Sequence, residues 1–402
     1  MLRTADLDYH LPEELIATSP ASPRDSARLM VLRRSHPTCI EHRHVRDLPE
    51  YLSPGDLMVV NRTRVLPARF RGHRTDTHGK AEGLFISATP GCHVPPGALP
   101  ASGLAVAPPS LIWQVLLKLR RGKPNALIRL TNPCGDPTPI HLRLIEKLTG
   151  EAGNDAAGWL VSVEGVSPTD STHSILDRIG LTPLPPYILA ARKRQAFQPI
   201  DQRDREAYQT VFAAQEPDGP HGSGSIAAPT AGLHLTSELL AHLAARGVNR
   251  AEVILHVGMG TFKPVETEFI EDHPMHSERC SVPQATVAAL VGASSPRSTI
   301  LAVGTTTART LESFSSPQEM LSAPHKDTRI LITPGHRFKH VGALMTNFHL
   351  PRSTLLAMVA AFIDDDDRFR GLGLPRLVAA YRTAIELGYR FYSFGDAMVV
   401  LP

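Results

Sequence analysis

Apolar residues along this chain gather in short blocks separated by Gly and Pro, and the spacing inside the blocks changes along the chain. Leu57-Met-Val-Val60 follows the turn signal Gly55-Asp56 without polar alternation, which predicts a buried strand. It delivers Asn61-Arg-Thr-Arg64 to a strand end. From 64 to 147 the blocks are rich in Val, Leu and Ile, as in Leu111-Ile-Trp-Gln-Val-Leu-Leu117 and Ala126-Leu-Ile-Arg-Leu130, with no helix-period segment between them. A small all-β unit, barrel or sandwich, follows from this. Within it, 88–110 holds six Pro and three Gly and reads as a long flexible loop. The stretch 149–174 reads as a mobile hairpin or the way out of the β unit. After Pro183-Leu-Pro-Pro-Tyr187 the period alternates. Helices are expected over 204–214, 237–246, 308–313, 353–363 and 377–387, and strands over 252–257, 299–303, 329–332 and 389–394. Such alternation predicts an α/β layer with a mixed or largely parallel sheet, built from 1–63 and 183–402, with 64–182 inserted as the β unit.

Composition narrows the class. The 402 residues carry 42 Lys and Arg against 39 Asp and Glu, so no polycationic tail organises the chain, and 42% hydrophobic content suffices for a sizeable core. With 35 Pro, 29 Gly and only 5% aromatics, a coiled coil is excluded. The longest apolar run, 355–363, is far short of the roughly 20 residues that span a bilayer, so a soluble, cytoplasmic protein without membrane contact is expected. Cys39, Cys92, Cys134 and Cys280 show no metal-binding spacing and read as reduced structural thiols.

Four segments set small and polar residues after an apolar block or at a helix start, where α/β sheets gather their ligands. They are Ala228-Pro-Thr-Ala-Gly-Leu-His234, His256-Val-Gly-Met-Gly-Thr-Phe262, Val303-Gly-Thr-Thr-Thr-Ala-Arg309 and Thr346-Asn-Phe-His-Leu-Pro-Arg-Ser-Thr354. Each alone has a plain reading as a helix cap or a packed histidine. Their coincidence, three of them with a His, marks them as a candidate site. His273-Pro-Met-His276-Ser-Glu278 could suggest zinc but has no Cys partner, and the spacing of His276 and Glu278 suits a coupled acid and base pair better. Basic residues outnumber acidic ones six to one over 62–80 and seven to two over 113–147, a distribution that fits either a phosphate-backbone footprint or solvated strand faces.

Longer strings narrow this further. Leu11-Pro-Glu-Glu-Leu-Ile-Ala17, Arg24-Asp-Ser-Ala-Arg-Leu29, Asn61-Arg-Thr-Arg-Val-Leu-Pro-Ala-Arg69 and Pro183-Leu-Pro-Pro-Tyr187 occur in that order. They are followed by the segments above, Arg309-Thr-Leu-Glu312 and Tyr389-Arg-Phe-Tyr-Ser-Phe-Gly-Asp396. Together they resemble the bacterial S-adenosylmethionine:tRNA ribosyltransferase-isomerases of queuosine biosynthesis, across almost the whole chain. Arg62 stands where that family usually has an acid, and 88–110, 215–224 and 364–375 look like insertions.

The resemblance implies a mixed-sheet α/β catalytic domain with a small inserted β-barrel. It also implies transfer and isomerisation of the ribosyl part of S-adenosylmethionine onto the aminomethyl-deazaguanine wobble base of tRNA, giving epoxyqueuosine, adenine and methionine. S-adenosylmethionine is then a consumed co-substrate, tRNA the partner, a monomer the expected state, and neither metal nor further cofactor is expected. The chemistry needs a base for the sugar proton beside the sulfonium, an acid for departing adenine, and a neutral amine. His276, Glu278, His349 and His256 are the catalytic candidates. Asn61, Thr63, Arg64, Thr230, Gly232, His234, Gly258, Gly260, Thr261, Phe262, Gly304, Thr305, Thr306, Arg309, Asn347, Arg352 and Asp396 are the substrate-binding candidates. Of these, Arg352, Arg309, Thr305 and Thr306 suit the methionine carboxylate, and Arg120 and Arg121 are candidates for tRNA contact. A structured-RNA-binding relative without turnover, or a transferase with another acceptor, would be the alternatives.

Overall fold

The structure, a computed structural model, describes residues 1–89, 111–120, 122–148, 157–197, 200–214, 224–258, 265–293 and 298–402. Two sheets organise them. Strands β1 (Arg28–Arg33), β2 (His36–His44), β3 (Leu57–Asn61), β10 (Asn249–Leu255), β11 (Glu278–Ser281), β12 (Ile300–Val303), β13 (His325–Thr328), β14 (Ala343–Asn347) and β15 (Ala397–Leu401) form one sheet among the described residues, in the order β13-β11-β10-β3-β12-β14-β15-β1-β2. Its centre, β10-β3-β12-β14, is parallel, and β15 is antiparallel to β14 and parallel to β1. The side-chain period of two sorts each central strand onto two cores. Leu57 and Val59 face one side with Ala302, Leu344, Met398 and Val400. Met58 and Val60 face the other with Leu301, Val303, Met345 and Val399. Both faces are covered, which is why these strands read as continuous apolar runs.

The second sheet is a closed antiparallel barrel. It comprises β4 (Arg69–Arg74), β5 (Lys80–Thr89), β6 (Leu111–Leu119), β7 (Leu127–Thr131), β8 (Pro137–Lys147) and β9 (Ala157–Glu164), ordered β4-β5-β6-β9-β8-β7. Helix α1 (Thr172–Ile179) plugs it with Ile175, Leu176 and Ile179, and Trp113 donates from its ring N–H to the Thr172 hydroxyl. The barrel leaves the sheet after β3 and returns before β10, so it is inserted between two strands that lie side by side. The α/β class with an inserted barrel is therefore the observed fold.

Several expected elements moved. The stretch 389–394 is an aromatic turn, and the strand lies beyond it as β15. The strand expected over 329–332 is β13 instead, a short exposed edge. Part of 149–174 is β9, a barrel strand rather than a mobile hairpin, because Trp159, Val161 and Val163 fill the barrel core. The helix expected over 204–214 is α3 (Asp201–Ala207), preceded by α2 (Pro186–Arg194). Residues 90–110 and 215–223 lie outside the described residues. Cys280 is buried, but Cys39 and Cys134 are exposed and so have no packing role, and Cys92 lies outside the described residues. Within 364–375, Asp364 accepts from two backbone N–H groups, Gly371 at 2.6 Å and Gly373 at 3.0 Å. Among the described residues no helix is long and apolar enough to cross a membrane.

Candidate active site

The C-terminal ends of β3, β10, β12 and β14 point to the same side, and successive connections leave them in opposite directions around β3. A crevice outside such strand ends is where open α/β sheets bind ligands. Here it is an open cleft holding about 580 Å³ of space, its solvent-filled mouth included. Its walls include Ala227, Ala228 and Thr230, then Gly304, Thr305 and Thr306, then Thr346 to Leu350, and also Tyr187, Tyr392 and Ser393.

Gly304 begins α4 (Thr305–Glu312) with φ 94° and ψ 151°, a conformation open essentially to Gly alone. The turn sends the unpaired N–H groups of the first helical turn, with two hydroxyls, toward the cleft. Asn347, at the end of β14, is pinned by accepting from Thr230 Oγ1 at 2.8 Å and donating to the Tyr392 carbonyl at 3.1 Å. Tyr392 is itself held at φ 71°, a strained value for an aromatic residue. Its ring lies 4.6 Å from that of Tyr187, whose hydroxyl bonds Ser393 Oγ at 2.6 Å. Burial pushes the Tyr392 phenol up to about 12 and raises that of Tyr187, so both remain protonated.

His349 is buried, with Nε2 2.6 Å from Thr346 Oγ1. Its peptide is clamped on both sides, the N–H donating to Tyr381 Oη at 2.8 Å and the carbonyl accepting from Tyr9 Oη. Desolvation lowers its pKa to about 3, so the ring is neutral. His256, half-buried just after β10, has Nδ1 3.2 Å from the Thr63 hydroxyl.

A second, open cavity, holding about 350 Å³ of space with its solvent-filled mouth included, adjoins the first, and Leu355 lines both. His273, Met275, His276, Glu278, Arg309 and Thr354 complete it. Glu278 and Arg309 are 6% and 7% exposed and form an ion pair through Arg309 Nη1 and Glu278 Oε2. Glu278 Oε1 accepts from Gly258 N at 3.2 Å. His276 is exposed. The structure thus gives Glu278 a different partner from the one its spacing to His276 suggested, because the strand end turns Glu278 inward toward α4.

The other candidates scatter. Asn61 ties β3 to β10 through Leu255, donating to its carbonyl at 3.0 Å and accepting from its N–H at 3.1 Å, and lines neither cavity. Gly232 admits the Phe212 ring, which would stand 2.6 Å from a Cβ there. His234 is buried with its ring nitrogens 3.0 Å and 2.9 Å from the carbonyls of Ala231 and Gly395, behind the cleft-lining Ala231 and not itself a lining residue. Arg352 is 55% exposed at its side chain and pairs with Asp8, and Asp396 staples Arg28 and Arg390. Neither lines either cavity. Arg64 and Arg120 are exposed. Gly260, Thr261, Phe262 and Arg121 lie outside the described residues. Sequence reasoning missed Tyr187, Tyr392 and Ser393. An aromatic residue in a left-handed turn leaves no pattern, although Pro186 at the start of α2 could have flagged Tyr187.

The family model described as "Queuosine biosynthesis protein" matches residues 4–400. The chain belongs to that family. Its relatives include S-adenosylmethionine:tRNA ribosyltransferase-isomerases of Sorangium cellulosum, 40% identical over 99% of this chain and 98% of that one, and of Moorella thermoacetica, 39% identical over 100% of both. Another, from Acidiphilium cryptum, is 41% identical over 99% of each chain. A solved S-adenosylmethionine tRNA ribosyltransferase from Thermotoga maritima is 31% identical over 98% of this family member and 100% of that chain, with a TM-score of 0.47.

Proposed function

We propose that the cleft at the ends of β3, β10, β12 and β14 is the active site of an S-adenosylmethionine:tRNA ribosyltransferase-isomerase of queuosine biosynthesis. The observation that supports this most is full-length likeness to enzymes of that name, at 39–41% identity, in a chain whose separate polar segments converge on one cleft. The ribosyl part of S-adenosylmethionine moves to the aminomethyl group of the 7-deazaguanine wobble base, leaving adenine, methionine and epoxyqueuosine in the tRNA. S-adenosylmethionine is consumed, and no resident metal or cofactor takes part.

Each residue then has work suited to its surroundings. Tyr187 and Tyr392 offer a protonated aromatic wall on which a purine-type ring stacks. Thr305, Thr306, Thr230 and Asn347 hold the sugar by hydrogen bonds. The positive sulfonium acidifies the adjacent sugar carbon, and His256 and His276 carry the protons. His349, kept neutral and fixed in orientation, polarises or positions rather than acting as an acid. The tRNA lies on the 64–182 unit, with Arg120 and Arg121 on its phosphates, and the monomer acts in the cytoplasm.

Mass spectrometry of wobble nucleosides after incubating the protein with precursor tRNA and S-adenosylmethionine tests this. Epoxyqueuosine with equimolar adenine and methionine is expected. Adenine release without base modification would indicate another acceptor, and tRNA binding without adenine release would indicate an RNA-binding relative that has lost turnover.

A further inference from the structure

Arg309 is the least satisfied buried charge around the two cavities. One of its nitrogens, Nη1, serves Glu278, while Nε and Nη2 are buried without a hydrogen-bond partner among the described residues. A guanidinium has five N–H donors and no way to shed its charge, and buried donors are almost always satisfied. The two orphans lie on one edge of the guanidinium, and that edge is the fork onto which a carboxylate docks through both oxygens.

Glu278 supplies the complementary sign. Each of its oxygens already accepts one hydrogen bond, from Gly258 N and from Arg309, yet a carboxylate oxygen has a second lone pair for another donor. A neutral Arg–Glu pair with a free guanidinium edge and free carboxylate lone pairs matches a ligand that carries both charges and is neutral at that end. An α-amino acid is such a group. The position also fits. Arg309 stands on the helix whose first turn, Thr305 and Thr306, lines the main cleft, and Leu355 borders both cavities. A short side chain on a nucleoside bound in the main cleft would pass Leu355 to reach Arg309. Arg352, the other cation suggested by sequence, is occupied by Asp8 and lines neither cavity.

We infer that Arg309 and Glu278 form the subsite for the amino-acid end of the sulfonium substrate, Arg309 taking its α-carboxylate through Nε and Nη2 and Glu278 its α-ammonium. This rests on the functional reading above. It makes Glu278 a binding group rather than the base suggested by its spacing to His276.

The test is equilibrium binding of three sulfonium nucleosides: S-adenosylmethionine, its decarboxylated analogue and its deaminated analogue. The full-length wild type is compared with the double variant Arg309→Met/Glu278→Gln, which removes both buried charges together, and thermal melts verify folding. The wild type is expected to prefer S-adenosylmethionine over either analogue by about 10²-fold, in line with the loss of a buried charged hydrogen bond. In the double variant all three should bind within a few-fold of one another, at the level of the weaker wild-type analogue. Glu278→Gln alone should erase the penalty for the deaminated analogue while keeping that for the decarboxylated one. A folded double variant that keeps the wild-type preference overturns the subsite. If the wild type binds S-adenosylmethionine tightly but does not distinguish the analogues, the subsite falls and the functional reading stands. If it binds none of the three, the functional reading falls and takes the subsite with it.

Discussion

His349 and His276 carry the same ring in opposite surroundings. Because burial holds His349 near pKa 3 while an unfolded chain leaves it near 6.5, the unfolded state binds a proton that the folded state refuses across that interval. Stability from this residue is therefore complete above about pH 6.5 and falls as the pH drops, by up to about 1.4 kcal/mol per pH unit. Denaturant melts of wild type and His349→Gln at pH 7.5 and 5.5 should show the wild type losing roughly 1 kcal/mol more than the variant on acidification. Equal losses would mean that the ring is not shielded. His276 is exposed at the rim of the second cavity, so replacing it changes little packing. His276→Ala should leave the melting temperature near wild type and lower single-turnover ribosyl transfer by about 10² to 10⁴ if it carries a proton. Near-normal chemistry would move that role to His256.

Helices α2 and α3 are joined by a buried ion pair: Arg192 Nη1 and Nη2 meet Asp204 Oδ2 and Oδ1 at 2.7 and 2.8 Å. The join matters to the cleft because Tyr187 stands in the first turn of α2. Arg192→Met leaves Asp204 stranded and should cost about 3 to 5 kcal/mol, whereas Arg192→Met with Asp204→Leu should recover most of that loss. Urea melts of the two variants decide it, and a double variant no better than the single one would show that the pair does more than neutralise itself. At this scale, legibility in the sequence follows the side-chain pattern. β3 was readable because Leu57, Met58, Val59 and Val60 are buried on both faces. β13 was not, since His325, Lys326 and Asp327 are exposed and the strand is defined only by backbone pairing with β11. The 389–394 stretch misled for the opposite reason. Tyr389 and Phe391 pack their rings on Phe348, and Phe391 also meets Tyr381, so strand-like residues fill a turn. In the cleft, Gly304-Thr-Thr was legible as a strand-to-helix corner. The backbone strain at Tyr392 and the partner of Glu278 depend on tertiary contacts that no local spacing encodes.

For the whole molecule, the proposed function divides recognition between the barrel and the sheet. If the barrel carries the RNA, neutralising Arg120 and Arg121 together should weaken tRNA binding and reduce the slope of log affinity against log salt by roughly 1 to 2, with S-adenosylmethionine binding unchanged. Filter binding across a salt series measures this, and an unaltered slope would remove these positions from the RNA interface. The placing of β15 between β14 and β1 has a further consequence, for the order in which the chain can fold. The Arg28–Asp396 contact that fastens β1 beside β15 spans 368 positions. A growing chain makes β1 and β2 early, yet β1 must wait, one edge open, through the synthesis of the whole barrel and every later helix before its inner neighbour exists. β14 waits likewise on its far edge. Contacts of such separation form slowly, and an open strand edge is a template for pairing with another chain. The nascent protein therefore passes most of its synthesis with the sheet split into two unfinished halves. During that interval a chaperone has its longest opportunity to bind, and aggregation is the competing outcome.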